Sequence, residues 1–300
     1  VQSVLEAVGL KRALEMRFLP LSEEEKKTIY PLPFRTRSAQ DRTKDRLIGV
    51  QYSEKTATDV IDKINEWLQR AADVKLSPDG ERYIFQVIGE ALDNAERHSD
   101  PIANTGDGAW SVAGFMTSNR RNGTNVYRCQ LALLSAGATI AESLEAAAPT
   151  TKLKRDEYVR RHWRLLNNGF SEEALATVFA LQDGVSRVPN RGGTGLMDII
   201  GMFHMLSGHE APDEPARMAI VSGATCILIA PPYIEGCRRG PCDDLHRAPR
   251  ELWFNKDNTP EAEPDKSHVI QLPAKLQGTL ISMAWTMDVS YLTRVANGNR

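Results

Sequence analysis

The chain has 300 residues, of which 41% are hydrophobic and 25% charged, with a formal net charge of −2. That length can bury a sizeable core. The balance excludes the strongly basic footprint of a dedicated nucleic-acid binder, and four cysteines are too few for a disulfide framework. No run approaches the ~20 apolar residues of a membrane helix. The opening VQSVLEAVGLKRALEM lacks the basic segment and apolar core of a signal peptide. The expectation is a cytoplasmic protein in a reducing compartment, with neither membrane nor nucleic acid indicated as partner.

In chain order, residues 1–53 read as an appendage. The first 16 residues fit a helix, and Pro20, Pro31 and Pro33 then punctuate a polar arm. Residues 54–300 read as one domain. A helix over 54–74 carries Val60, Ile61, Ile64, Trp67 and Leu68 as one apolar stripe. Ser77-Pro78-Asp79 starts the next helix: the serine caps, the proline takes the first helical position and the aspartate favours the positive end. This helix runs to about His98. Strands are expected over Trp110–Met116 and Val126–Leu134, joined at Asn122-Gly123. Residues 141–182 read as helical and charge-rich, and a Gly/Pro/Asn-dense loop over 184–195 precedes a helix at 196–206. Met218–Ser222 and Cys226–Ala230 read as a second hairpin, residues 231–268 as an irregular insertion, and Gly278–Met287 as the last strand.

Two segments carry chemistry. Glu90, Asn94 and His98, at i, i+4 and i+8, share one helix face. An amide oxygen can ligate Mg²⁺, and a carboxylate one turn away can orient or deprotonate a water beside a phosphate. A solvated helix face is the plain alternative. The second segment is Arg191-Gly192-Gly193-Thr194-Gly195-Leu196, opening into a helix. Glycines let backbone N–H groups approach an anion, and the helix start adds partial positive charge. Arg187 or Arg191 could reach phosphate oxygens. A flexible glycine loop is the alternative here. Cys237, Cys242 and His246 have a spacing that could hold zinc, with ordinary thiols the simpler reading. The basic run from Lys152 to Arg164 reads as a solvated face.

The wording E-A-L-D-N-A-E-R-H-S at 90–99 resembles the N box of the gyrase/heat-shock chaperone/histidine kinase/MutL (GHKL) ATPases. Gly192-Gly193-Thr194-Gly195-Leu196 resembles their second glycine box, and Gly278-Thr279 the Gly-Thr that supports the adenine site. The likeness spans about residues 58–287 and is nearest to bacterial stand-alone histidine-kinase-like ATPase domains. It implies an α+β, two-layer α/β sandwich of the Bergerat type, with a mixed, mostly antiparallel sheet and ATP bound between the layers. It also implies Glu90 as general base, Asn94 as Mg²⁺ ligand, phosphate contacts from Gly193 and Gly195, and a lid within about 141–192. In the first glycine box, Gly137 keeps its place. Ser135 stands where the family has aspartate, and Thr139 where it has a second glycine. A neutral acceptor replaces a charged one, ~0.5–1.5 against ~1.5–3 kcal/mol net, which implies adenine binding weakened about tenfold or more.

The function expected is a slow Mg²⁺-ATPase acting as a nucleotide-dependent switch on a protein partner, with a homodimer an open option. Two alternatives stand beside it. One is a protein kinase of the histidine-kinase or anti-sigma type acting in trans, since His98 is the first histidine in the chain and already lies in the N box. The other is a nucleotide-free interaction module.

Overall fold

The computed structural model describes residues 22, 28–37, 53–98, 109–121, 123–166, 169–185, 194–206, 216–238, 248–287 and 289–295. The expected helix over the first 16 residues, the residues Arg187, Arg191, Gly192 and Gly193, and the thiol–imidazole pair Cys242 and His246 lie outside the described residues.

The apolar stripe of the first long helix does what its spacing requires. Helix α1 (Ser53–Ala72) buries Val60, Ile61, Ile64, Trp67 and Leu68 together with Thr56 and Ala57. Its first residue ties it to the next helix, because the Ser53 hydroxyl donates to Asp93 Oδ1 at 2.6 Å. After α1 the chain turns through Asp73, whose φ is +53°, into a short strand β2 (Val74–Leu76). Helix α2 (Pro78–His98) starts as its sequence dictates. Ser77 Oγ accepts from the Gly80 amide at 3.3 Å, and Asp79 and Glu81 sit in the first turn. Asn65 staples the two helices: its Nδ2 donates to Glu81 Oε1 and its Oδ1 accepts from the Leu76 amide, both at 2.8 Å.

The hairpin follows as strands β3 (Ala109–Arg121) and β4 (Thr124–Ala136), longer at both ends than the apolar runs suggest. Next come the short helix α3 (Ile140–Ser143), helix α4 (Pro149–Arg161), the single turn α5 (Trp163–Leu166), helix α6 (Glu172–Ala180) and helix α7 (Gly195–Leu206). Strand β5 (Arg217–Ile229), the short pair β6 (Cys237–Arg238) and β7 (Arg250–Glu251), strand β8 (Val269–Thr286) and β9 (Leu292–Arg294) complete the order. β9 pairs with β2.

The fold is α+β. Among the described residues, one five-stranded sheet runs in the order β1-β3-β4-β8-β5, where β1 is Ile29–Arg37, and every described pairing in it is antiparallel. Odd-numbered residues of β4 and β8 face the helices. Trp67 of α1 meets Tyr127 of β4 edge-on at 5.8 Å, and Phe203 of α7 meets Trp285 of β8 at 6.3 Å. Helices α1, α2 and α7 thus cover one face, and α6 packs on β5 and β8 at one end of the sheet.

Three expectations need correction. Residues 29–37 are not part of a separate arm; they pair with β3 as an edge strand, with a register shift between Leu32 and Arg35, where Pro33 falls. Met218–Ser222 and Cys226–Ile229 belong to one strand, β5, instead of a hairpin. Gly223, with φ +60°, makes a bulge at the register shift, and Glu173 Oε2 takes the Ala224 amide at 3.0 Å. The last strand begins at Val269, nine residues before Gly278, and its first part pairs with the far half of β5. The irregular insertion is also anchored: Leu252, Trp253 and Phe254 are buried, and Trp253 stacks at 5.0 Å on Tyr158 of α4.

Gly278 sits in β8 with φ +132°, and a β-carbon there would lie 1.9 Å from the Ser135 carbonyl oxygen. Only glycine lets β4 and β8 meet at this point. Gly278→Ala is expected to lower unfolding stability by at least about 2 kcal/mol, read as a fall in the urea midpoint at unchanged slope.

Candidate functional site

Residues 90 and 94 lie one turn apart on α2, and the start of α7 is set directly against them. A β-carbon on Gly195 would meet Asn94 Nδ2 at 2.9 Å, Asn94 Oδ1 at 3.2 Å and Glu90 Oε2 at 3.4 Å. The absent side chain at 195 is what allows the approach. Asn94 Nδ2 is buried and, among the described residues, has no hydrogen-bond partner. A buried polar atom left unpaired is costly, so this one is a mark of a missing contact.

Glu90 is half-buried. Removal from water pushes its carboxyl above the usual carboxylate range. Arg97, with Nη2 at 3.9 Å from Glu90 Oε2, works against that shift, and Asp198 and Asp93 add to it. Asp198 lies in the first turn of α7, where its amide donates to the Thr194 carbonyl at 2.8 Å. Thr194 is thus the exposed residue just outside the helix, and Leu196 is the second residue within it.

Behind α2 and α7 opens a cleft with about 930 Å³ of empty space, part of it open to solvent. Asn94, Gly195 and Leu196 line one side and Ser135, Thr139 and Thr279 another, with Leu133, Ile140, Leu144 and Ile281 as apolar walls. The structure therefore brings together six of the residues singled out in the sequence: Asn94, Ser135, Thr139, Gly195, Leu196 and Thr279. Gly137 is exposed, with φ +132°, and its amide donates to the Gln277 carbonyl at 3.4 Å.

Ser135, Gly137 and Thr139 are all engaged. Ser135 and Thr279 are cross-strand partners, and Ser135 Oγ donates to the Thr279 carbonyl at 3.3 Å. Thr279 Oγ1 lies 2.9 Å from the hydroxyl of Ser222, its partner on β5. Three hydroxyls thus stand in register across β4, β8 and β5. Ser222 is fully buried and accepts from the Ile140 amide at 2.8 Å. Thr139 is nearly fully buried and caps α3 in a reciprocal box with Glu142. Lys275 holds Glu142 Oε1 at 2.8 Å, and with Thr139 it keeps that carboxyl below its ordinary value.

Sequence reasoning missed two participants, Ser222 and Arg250. Arg250, from the insertion, grips both flanks of the glycine-rich segment. Its Nε donates to Asp183 Oδ2 at 2.8 Å and its Nη2 to Asp198 Oδ1 at 2.6 Å. The Arg250 and Asp183 backbones add a further pair of contacts, with the Asp183 amide donating to the Arg250 carbonyl at 3.1 Å and the Arg250 amide to Asp183 Oδ2 at 2.9 Å. Asp183, whose side chain is 6% exposed, is fully committed to this arginine. Nothing local marks Arg250, since its partners lie 67 and 52 residues away.

Among the described residues no group of three His, Cys, Asp or Glu side chains is placed to hold a metal, and no helix is long and apolar enough to cross a membrane. Cys237 is exposed. Two cations of the basic run are paired: Arg155 bonds Glu145 and Asp156, and Arg161 reaches Glu261. No family model, curated protein or solved structure matches the chain.

Arg250→Ala strips buried Asp183 of its guanidinium and leaves it only the backbone amide of residue 250, so a loss of about 2–4 kcal/mol is expected, with Arg250→Lys restoring only part because one ammonium cannot span both carboxylates; denaturant titration reads both. Glu90 gives an opposite sign. Its carboxyl holds a proton more tightly folded than unfolded, so its ionised form opposes folding above the folded-state value and has no effect well below the unfolded one. Glu90→Gln should therefore raise the melting temperature at pH 7, with the gain vanishing toward pH 3, as followed by thermal scans across that range.

Proposed function

We propose that the chain is a Mg²⁺-ATP-binding protein of the GHKL type, with a Bergerat-like arrangement of helices on an antiparallel sheet, that hydrolyses ATP slowly and switches its surface for a protein partner. The observation that carries this reading is the seating of Gly195, at the start of α7, against Glu90 and the unpartnered amide of Asn94. An N-box-like helix and a glycine turn meet beside a cleft with apolar walls.

The donor set fits a magnesium nucleotide. Mg²⁺ bound to phosphates takes only one or two protein oxygens, and the Asn94 amide can turn its oxygen toward the space that its nitrogen now leaves unpaired. Bound there, the metal would neutralise charge between phosphates. The α7 N-terminus offers free backbone amides and partial positive charge to an anion. Glu90, with its raised proton affinity, is suited to take a proton from a water attacking the terminal phosphate. Leu133, Ile281 and Leu144 form the dry walls in which a flat base can lie. Arg250 couples the insertion to the first turn of α7, which gives a nucleotide at that turn a route to distant surface.

One observation favours a second reading, an interaction module without turnover. Thr139 is occupied in a helix cap and Ser135 is neutral, so the hold on a base is weak.

Calorimetry with Mg²⁺-ATP and a phosphate-release assay separate the two. Expected are saturable, Mg²⁺-dependent binding, retention of that binding in Glu90→Ala with release slowed about 10²-fold or more, and loss of the Mg²⁺ dependence in Asn94→Ala. Unchanged release in Glu90→Ala would remove the catalytic role, and the absence of binding at millimolar nucleotide would remove the proposal.

A further inference from the structure

The base end of the cleft has a chemistry of its own. Among the described residues lining the cleft, none is charged. The polar groups at the strand side are the hydroxyls of Ser135 and Thr279, backed by Ser222. A hydroxyl has one proton and two lone pairs, and its rotor is free to choose.

Ser222 makes that choice consequential. It accepts from the Ile140 amide at 2.8 Å, and its own proton has two destinations, Thr279 Oγ1 at 2.9 Å or the Gly278 carbonyl at 3.4 Å. When Ser222 donates to Thr279, the Thr279 proton is released to donate elsewhere. When Ser222 donates to Gly278, Thr279 donates to Ser222 and keeps lone pairs to accept. Ser135 is held only by a long bond, 3.3 Å to the Thr279 carbonyl, and can likewise turn. The row therefore offers either polarity at little cost.

A carboxylate in this place would accept from an exocyclic amino group and repel a carbonyl oxygen. The hydroxyl row does neither selectively. Resting on the nucleotide reading above, we propose that the cleft takes purine nucleoside triphosphates without choosing between a 6-amino and a 6-oxo base, so that ATP and GTP bind alike. The residues that set this are Ser135 and Thr279, with Ser222 as the rotor behind them. Discrimination by a pocket is strong only where a fixed donor or acceptor would be left unpaired by the wrong ligand, and this row has no fixed polarity.

The test is a set of calorimetric titrations of the full chain with Mg²⁺-ATP, Mg²⁺-GTP and inorganic tripolyphosphate. For the unaltered protein, the two nucleotide dissociation constants should agree within about threefold, and tripolyphosphate should bind about tenfold more weakly or worse. Ser135→Asp should favour ATP over GTP by about tenfold or more. Thr279→Val, which keeps the shape and removes the switching hydroxyl, should weaken both nucleotides to a similar degree. A tenfold preference in the unaltered protein overturns the inference and leaves the nucleotide reading standing. So does a Ser135→Asp protein of normal melting temperature with no preference, or a Thr279→Val protein weakened for one base only. Binding of neither nucleotide by the unaltered chain overturns the parent reading and this inference with it.

Discussion

The seating of helix α7 on helix α2 is the contact around which the candidate site is organised. A β-carbon at residue 195 would lie 2.9 Å from Asn94 Nδ2, closer than β-carbons tolerate without displacement of a neighbour, and in contact with Glu90 Oε2 at 3.4 Å. A residue with a side chain would displace the Asn94 amide or the start of α7 from this contact. At the same place Asn94 Nδ2 is buried without a partner among the described residues. Close packing and an unmet hydrogen bond thus coincide there, and together they describe a place shaped for something polar.

Electrostatics reinforce this geometry from a distance. Asp198, in the first turn of α7, contributes to the raised proton affinity of Glu90 and is itself held by Arg250. Arg250 also takes Asp183, so one guanidinium fastens the end of the helical region 140–183, the start of α7 and the insertion. A planar fork with several donors can bridge two carboxylates in this way. The insertion is consequently part of the site's support: its buried Leu252, Trp253 and Phe254 hold it against α4 and α6, and Gln182 bonds the Leu252 backbone at both ends.

On the strand side, Ser135 and Thr139 are absorbed into the fold instead of being left open. Ser135 joins the hydroxyl row, and Thr139 becomes a helix cap locked by Glu142 and Lys275. Both residues thereby acquire structural work, and the cleft wall they help to form presents neutral groups to a ligand.

Much of this was legible in the chain. Local rules placed α1, α2, the β3–β4 hairpin and α7, because caps, helical stripes and an Asn-Gly turn act within a few residues of themselves. Glu90 and Asn94 could be put on one helix face by counting. The strands were harder. Gly223 has the same local signature in a turn and in a bulge, and only pairing of β5 with β8 on both sides of it distinguishes the two. Residues 29–37 carry prolines that argue against a strand until a single-sided edge position is available to them. Arg250 and Ser222 were invisible for a related reason. A guanidinium or a hydroxyl has no preferred partner along the chain, and the carboxylates and strands it meets are brought to it only when segments some 50 to 80 residues apart pack together. The sequence by itself determined the helices and the pair of groups on α2. Tertiary structure alone decided that α7 would close on that pair, because such an approach depends on the packing of the whole sheet beneath both helices.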